Sequence, residues 1–581
     1  MYLDFLVNIP QDTGRITENR RGETTYIEYT YDREYLPEKK YNVAKRTTIG
    51  KQSKKDPTMM QPNQNFLKFF PDVELPDIKE KAMRSSCLRA GAFIVIRKVI
   101  NDYKLPDMLG NYFESRELGL LLDLVAYSII CENNAGQYYP DYAYNHPLLT
   151  EDMQIYSDSK VSRFLNSITD DQSVGFLNDW NSVRDHREKI YISYDSTNKN
   201  SQAGEIEMAE YGHQKEKTGT PMINYSIAYD TKNREPLFYE EYPGSIVDVS
   251  QLQFMLEKAK GYGYKKVGFI LDRGYFSKEN IQYMDSCGYD FVIMVKGMAS
   301  FVNRLVTDNR GRFENKRAYS IREYQVYGMT VKKNLYVTDE KERYFHIYHK
   351  VQKEGAEREQ VETKIERMTN FLKKQQGKVV EFGDAYQKYF DLIYYDKDKV
   401  FMYANEKADV IERELELCGY FVIVTSQKMT AKEAISLYKS RDDSEKLFRG
   451  DKSYLGNKSL RVYTDESISA KIFVEFIALI VRCKIYTQLI AAMKEMDKKP
   501  NYMTVPAALK ELEKIEMLRQ YNGVYCLDHA VTATQKTILK SFNVDADYIK
   551  HRAKRISEQL TSASEKKGRE DHGEDEEYDI Y

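Results

Sequence analysis

Between Lys189 and Val295 the spacing of apolar residues switches repeatedly between the period of a strand and that of a helix, the pattern of a mixed α/β sheet. Lys189 to Asp195 is a short β-rich run. Ile223, Tyr225, Ile227 and Tyr229 then alternate with Asn224, Ser226 and Ala228, and Pro236 to Tyr242 follows the polar turn Asp230 to Glu235. These runs predict a three-strand meander. Ser250 is placed to cap a helix whose Leu252, Met255, Leu256 and Ala259 share one face. Lys266 to Asp272 reads as another apolar strand, Lys278 to Cys287 as a helix and Phe291 to Val295 as a strand. The predicted fold class is therefore α/β.

A chain of 581 residues exceeds what one hydrophobic core usually organises. Residues 1–80 read as a basic, Tyr-rich region that is small or extended, with short alternating runs such as Thr25 to Tyr31. Residues 81–185 read as a helical domain with apolar stretches Cys87 to Ile100, Leu118 to Cys131 and Val161 to Leu177, which the resemblance given below would make a DNA-binding domain. Residues 186–300 read as the first part of one core and 419–495 as the second, resuming at the strand Tyr420 to Thr425, a core that the resemblance given below would make catalytic. Between them, 301–418 is expected to be a β-rich insertion with strand-like runs at Thr330 to Val337 and Tyr344 to His349 and a charged helix around Glu357 to Lys374. Residues 496–564 read as a helical C-terminal region and 565–581 as an acidic disordered tail.

The formal net charge of −2 does not point to nucleic acid, so any DNA-binding surface must come from local segregation of cations. Such segregation exists between Arg33 and Lys55, where Lys39, Lys40, Lys45, Arg46, Lys51 and Lys54 outnumber Glu34 and Glu38; a solvated face would have the same composition. Six cysteines lie far apart with no C-x-x-C pair, which argues against a zinc ribbon and a disulfide framework and fits a reducing cytoplasm. No signal h-region is recognisable, and the most apolar stretch, Ile472 to Ile490, is interrupted by Glu475, Arg482 and Lys484, so no membrane segment is expected.

Asp195 ends the run Ile190 to Tyr194 and Asp272 ends Val267 to Leu271, so each carboxylate is expected where an apolar strand runs out, the place where α/β sheets build sites. Either aspartate alone would more often be structural. A third carboxylate comes from Thr430 to Lys452, which opens with a capping box of Thr430 and Glu433. At about 100° per residue, Tyr438, Arg441, Glu445 and Lys452 fall within an arc of roughly 60°. An ordinary Arg441/Glu445 ion pair on an exposed helix has the same spacing.

The string Tyr438-x2-Arg441-x3-Glu445-x6-Lys452 resembles the Y-R-E-K signature of DDE transposases of the insertion-sequence-four family. Asp272-Arg273-Gly274-Tyr275-Phe276 resembles that family's second-aspartate motif, Asp195-Ser196-Thr197 its first, and Pro243-Gly244-Ser245-Ile246-x-Asp248 the string before its core helix. The resemblance covers roughly residues 185 to 490, and the predicted element order matches its ribonuclease-H-like core. It implies an enzyme that binds terminal inverted repeats in double-stranded DNA, cuts beside the element ends and joins the freed 3′-hydroxyls to target DNA. Asp195, Asp272 and Glu445 would hold two Mg2+ ions, with Mn2+ able to substitute. Tyr438, Arg441 and Lys452 would contact DNA phosphates. A homodimer in the DNA complex and a cytoplasmic, nucleoid-associated bacterial location are further implications. Members that form a DNA hairpin trap a flipped base on tryptophans, whereas this chain's only Trp is Trp180 and position 442 is Asp442.

Two other features invite simpler readings. His346-x2-His349 falls in a predicted strand, where residues three apart point to opposite faces and do not share a metal. Ser159-Lys160-Val161-Ser162-Arg163 opens a helix that suits either DNA entry or plain packing.

Overall fold

A computed structural model describes the chain apart from residues 1, 4, 13, 23, 39, 55, 74–83, 185–188, 202–205, 213–218, 247, 297, 337–338, 340, 396–398, 443–454, 456–459, 499–501, 521–522 and 571–581, and apart from the side chains of 248–249, 299 and 564–570. It divides into two units, Met1–Ile168 with Lys484–Tyr581, and Thr169–Cys483.

In the first unit, β1 (Val7–Asn8), β2 (Ile16–Arg21), β3 (Thr24–Leu36), β4 (Tyr41–Gln52) and β5 (Met59–Pro62) form an antiparallel sheet in the order β1-β5-β4-β3-β2. Asn63 caps α1 (Gln64–Phe69) by accepting from the Asn65 and Phe66 amides, and Phe66 closes a core with Phe5, Val7, Ile27, Ile49 and Met60. Residues read from sequence as a small or extended region thus build a sheet. Its alternation is hard to see because register shifts at Ile27/Glu28 and Thr30/Asp32 reset the parity of the long hairpin.

The same unit continues through β6 (Cys87–Arg89), α2 (Gly91–Asp102), α3 (Leu105–Leu109), α4 (Ser115–Cys131), α5 (Tyr139–Asn145) and α6 (Asp158–Ser167). Cys87 to Arg89, expected at the start of a helix, is instead a strand, because it pairs with Glu516–Leu518, more than four hundred positions away in the chain. Buried Asp123 accepts from the Leu149 and Thr150 amides at 2.6 and 3.1 Å, and buried Arg84 donates to the Ala143 and His146 carbonyls, so both of these charged groups are paired inside the helical core. Helix α6 buries Val161, Phe164 and Leu165 and leaves Lys160 and Arg163 exposed.

The second unit opens with α7 (Asp170–Ser182). The apolar stretch Val161 to Leu177 is broken at Ile168, since Thr169 forms a capping box with Gln172 and starts a new helix. Then come β7 (Ile190–Asn200), β8 (Met222–Asp230), β9 (Glu235–Pro243), α8 (Asp248–Gly261), β10 (Val267–Leu271), α9 (Lys278–Ser286) and β11 (Asp290–Met294), in the predicted order. Strand β7 is longer than its apolar run: it passes Asp195 and continues to Asn200 because β8 pairs with it from Ile192↔Asp230 to Asn200↔Met222.

After α10 (Ala299–Asn309), β12 (Ser320–Ile321), β13 (Val326–Asn334) and β14 (Glu342–His349) join the same sheet, whose order is β12-β13-β14-β17-β11-β10-β7-β8-β9 with β17 at Tyr420–Thr425. Among the described residues of this sheet only the pairings of β10 with β7 and with β11 are parallel. The expected β-rich insertion therefore divides in two: its first strands widen the main sheet, and the rest is a small α/β lobe. That lobe comprises α11 (Val351–Gln375), α12 (Asp384–Tyr389), β15 (Phe390–Tyr395), β16 (Val400–Glu406) and α13 (Ala408–Glu416), around Ile365, Met368, Leu372, Phe382, Tyr389 and Phe401.

Beyond β17 lie α14 (Ala431–Lys439) and α15 (Asp465–Glu495), which crosses from the second unit into the first. The first unit ends with α16 (Val505–Leu512), β18 (Glu516–Arg519), β19 (Tyr525–Leu527), α17 (Ala533–Lys540) and α18 (Ala546–Glu570). Helix α18 reaches past the expected start of the disordered tail at 565; residues 571–581 lie outside the described residues. Among the described residues no single helix is long and apolar enough to cross a membrane.

Candidate active site

Parallel pairing of β7 with β10 brings Tyr194 opposite Leu271 in the last registered pair. The next residues are Asp195 and Asp272, so the two carboxylates leave adjacent strands at matching heights, about 4.8 Å apart at the backbone. Asp272 keeps an extended backbone (φ −70°, ψ 160°) and its carbonyl accepts the Tyr275 amide at 3.0 Å, which starts a short 3-10 turn. Asp195 Oδ1 accepts the Ser196 amide at 2.9 Å. The strand end expected from sequence is thus real for Asp272. For Asp195 it is the parallel pairing that ends, while the strand goes on.

Helix α14 supplies the second wall. Its capping box is made as expected, with Thr430 and Glu433 bonded reciprocally. Tyr348 donates to the Ala431 carbonyl at 2.7 Å, and Ala431, Ile435 and Tyr438 pack with Ile270, Val292 and Ile423. Burial of that face aims the end of the helix at Asp272. The Tyr438 hydroxyl lies 3.4 Å from Asp272 Oδ1 and Arg441 Nη1 lies 3.5 Å from the same oxygen. The Arg441 guanidinium also sits 5.4 Å from the Tyr438 ring centroid, within cation–π range.

These are long contacts, so hydroxyl and guanidinium lean on the carboxylate rather than clamp it. Asp272 remains 37% exposed, whereas Arg441 is 11% exposed. A single helix from Thr430 to Lys452 is not what forms: α14 stops at Lys439, Ser440 is its C-cap, and Arg441 lies in the turn that follows. Glu445 and Lys452 lie outside the described residues. Tyr438, Arg441 and Asp272 are together, and Asp195 is next to Asp272 along the sheet.

The adjacent pair offers hard carboxylate oxygens, the donor chemistry of Mg2+ or Mn2+ rather than of zinc. Among the described residues no group of three or more His, Cys, Asp or Glu could hold an ion. His346 bonds Thr330 and Thr425 hydroxyls through its two ring nitrogens, and burial pushes it down to about 4; His349 pairs with Glu354 at 3.0 Å. Trp180 is fully buried, donates to the Pro236 carbonyl at 2.9 Å and carries the Arg184 guanidinium over its ring, so it belongs to the packing of α7.

Sequence reasoning missed the polar scaffold under the site. Asn198 donates to Asn224 at 2.7 Å, and Asn224 donates to the carbonyls of Pro243 and Ile246 at 3.1 and 2.9 Å, tying the Pro243–Ile246 turn to β7. Gly244 is required there, since a Cβ would lie 2.3 Å from the Met222 carbonyl oxygen. Lys199 and Glu475 form an ion pair at 2.9 Å with both side chains essentially inaccessible. The available signal was the polar run Ser196 to Asn200, read as the end of a strand when it is strand buried by a helix.

A family model described as a transposase DDE domain matches residues 171–481. A search of curated proteins finds no match. Eight chains of solved structures match. One is the piggyBac transposase synaptic complex with hairpin DNA, 9% identical over 73% of this chain and 69% of that chain, with a TM-score of 0.31. Another is the Mos1 transposase paired-end complex with left transposon end, 11% identical over 39% of this chain and 64% of that one, with a TM-score of 0.13. At these scores neither adds weight. The family match spans more than half of the chain and contains Asp195, Asp272, Tyr438 and Arg441, and the chain belongs to the transposase DDE domain family.

Proposed function

We propose that the chain is a bacterial insertion-sequence transposase of the insertion-sequence-four type, which binds the terminal inverted repeats of its element, cleaves the DNA there and joins the 3′-hydroxyl ends to target DNA. The observation that carries this reading is the pair Asp195 and Asp272 at matching positions on adjacent parallel strands, with Tyr438 and Arg441 beside the second. The order β9-β8-β7-β10-β11, with two antiparallel and then two parallel pairings, supports a ribonuclease-H-like core.

In this reading Asp195, Asp272 and Glu445 hold divalent metal, Mg2+ or Mn2+. When bound, such a pair of ions makes an attacking oxygen more nucleophilic and stabilises the leaving oxygen at a phosphodiester. The chain's own residues prepare that site. Arg441 and Tyr438 lie against the Asp272 carboxylate, and Arg441 and Lys452 offer cations to flanking phosphates. A homodimer on duplex DNA, in the cytoplasm with the nucleoid, belongs to the same proposal.

The test incubates the protein and Mg2+ with duplex DNA carrying the element's end. Nicked and joined products are expected from the wild type, and neither from Asp195→Asn or Asp272→Asn, which should still bind. Near-normal cutting by Asp272→Asn would remove it from the metal site, and wild-type cutting without joining would leave a nuclease.

A further inference from the structure

The N-terminal sheet contains a segment that the rest of the sheet does not cover. Strand β2 pairs with β3 only over Thr24–Tyr29, and β5 pairs with β4 only over Gly50–Gln52. From Asp32↔Lys45 to Leu36↔Tyr41, β3 and β4 pair only with each other among the described residues, as a two-stranded ribbon roughly 17 Å long. Such a ribbon alone in water is marginally stable and gains from a partner.

Its register separates the charges. Directly opposite residues share a face. Asp32 with Lys45, Glu34 with Val43 and Leu36 with Tyr41 form one face, on which Lys45 pairs with both Asp32 and Glu34 at 3.5 and 3.0 Å. Arg33 with Ala44 and Tyr35 with Asn42 form the other, and Arg46 follows Ala44 on that side by alternation. This second face has no carboxylate. Arg33, Tyr35, Asn42 and Arg46 are exposed there, and among the described residues neither Arg33 nor Arg46 has an ion-pair partner.

We propose that this ribbon is a DNA-reading element, laying its Arg33, Tyr35, Asn42 and Arg46 face into the major groove of duplex DNA. A major groove is about 12 Å wide and admits a two-stranded ribbon. Arginine suits guanine edges and phosphates, asparagine suits adenine, and tyrosine adds a phosphate or sugar contact. The anion-free face fits a polyanion, whereas a second copy of the ribbon would bring the same cations together. The inference rests on the DNA-acting reading of the chain and extends it to residues outside the matched domain.

The experiment measures binding of the full chain to duplex DNA taken from the sequence flanking its own coding region, with a scrambled duplex beside it, by fluorescence anisotropy across a salt series. Arg33→Ala/Arg46→Ala is expected to weaken binding at least about tenfold and to flatten the salt dependence by up to about two units of slope. Tyr35→Ala should weaken binding while Tyr41→Ala, on the opposite face, leaves it unchanged. Asn42→Ala should narrow the preference for flanking over scrambled DNA. Circular dichroism checks that each variant is folded. Wild-type affinity and slope in the double variant would overturn the ribbon's role while leaving the transposase reading intact. Equal losses from Tyr35→Ala and Tyr41→Ala would overturn the face assignment, and a fall in solution mass at unchanged DNA affinity would make the ribbon a contact between copies. Failure of the wild type to bind either duplex would overturn both readings.

Discussion

The nine-stranded sheet and the N-terminal ribbon both place polar residues in strands, but one buries them and the other displays them. In the large sheet, Ser193, Asn198, Lys199, Asn224 and Ser226 are at most 8% exposed. Several are paired across the sheet or to α15: Tyr194 with Ser226 at 2.7 Å, Asn198 with Asn224, and Lys199 with Glu475. Paired polar groups in a dry interior hold a site rigid before its substrate arrives. In the ribbon, Tyr35 and Tyr41 are 57% and 56% exposed, and Arg33 and Arg46 lie open. Chemistry and recognition thus draw on opposite uses of the same residue types.

If that contrast is right, the largest stability loss should come from the buried ion pair. Glu475→Gln leaves Lys199 and Lys471 charged in a site without their carboxylate and is expected to cost about 3–5 kcal/mol, whereas exchanging Lys199 and Glu475 together for apolar residues should cost less. Trp180 is the only tryptophan and is buried in this unit, so its fluorescence during urea unfolding reads the effect. A loss under about 1 kcal/mol would mean that the cluster is solvated, contrary to its burial.

Gly244→Ala comes next, at about 1–3 kcal/mol, because the new methyl would meet the Met222 and Glu210 carbonyl oxygens at 2.3 and 2.5 Å. The same fluorescence signal measures it, and a neutral result would show that the Pro243–Ile246 turn yields easily.

Lys471 gives a pH test of the same interior. Burial lowers its pKa to about 8, Glu475 opposes this, and Lys199 and Arg461 add to it. Between about pH 8 and the ordinary lysine value near 10.4, the unfolded chain binds more protons than the folded one, so this group makes stability rise with pH in that window. The wild-type stability curve minus that of Lys471→Met should therefore climb there and be flat below it. A flat difference throughout would place the ammonium in a polar setting.

The smallest effects belong to the ribbon. Arg33→Ala and Tyr35→Ala should each change stability by no more than about 0.5 kcal/mol by calorimetry of the whole chain, whatever they do to DNA binding. A larger loss would mean that the face is packed rather than displayed.

Much of the candidate site can be read locally. The apolar run ending at Asp272, the capping box of Thr430 with Glu433, and the alternation of strand and helix from Ile190 to Met294 are encoded in neighbouring residues, because periodicity states which side of an element seeks burial. Periodicity does not name the partner. That Asp195 lies in mid-strand was decided by β8 continuing beside it, and the union of β12–β14 with the main sheet was decided by β14 pairing with β17. The strand at Cys87 depends on Glu516–Leu518. That Arg441 lies beside Asp272 follows only when α14 buries Tyr438 against the sheet; Glu445, its expected neighbour along the chain, lies outside the described residues. From Ile190 to Met294 local pattern determined which segments became strands and helices, whereas tertiary structure decided the strand at Cys87 and which polar groups met, because contacts between distant segments depend on the topology that joins them.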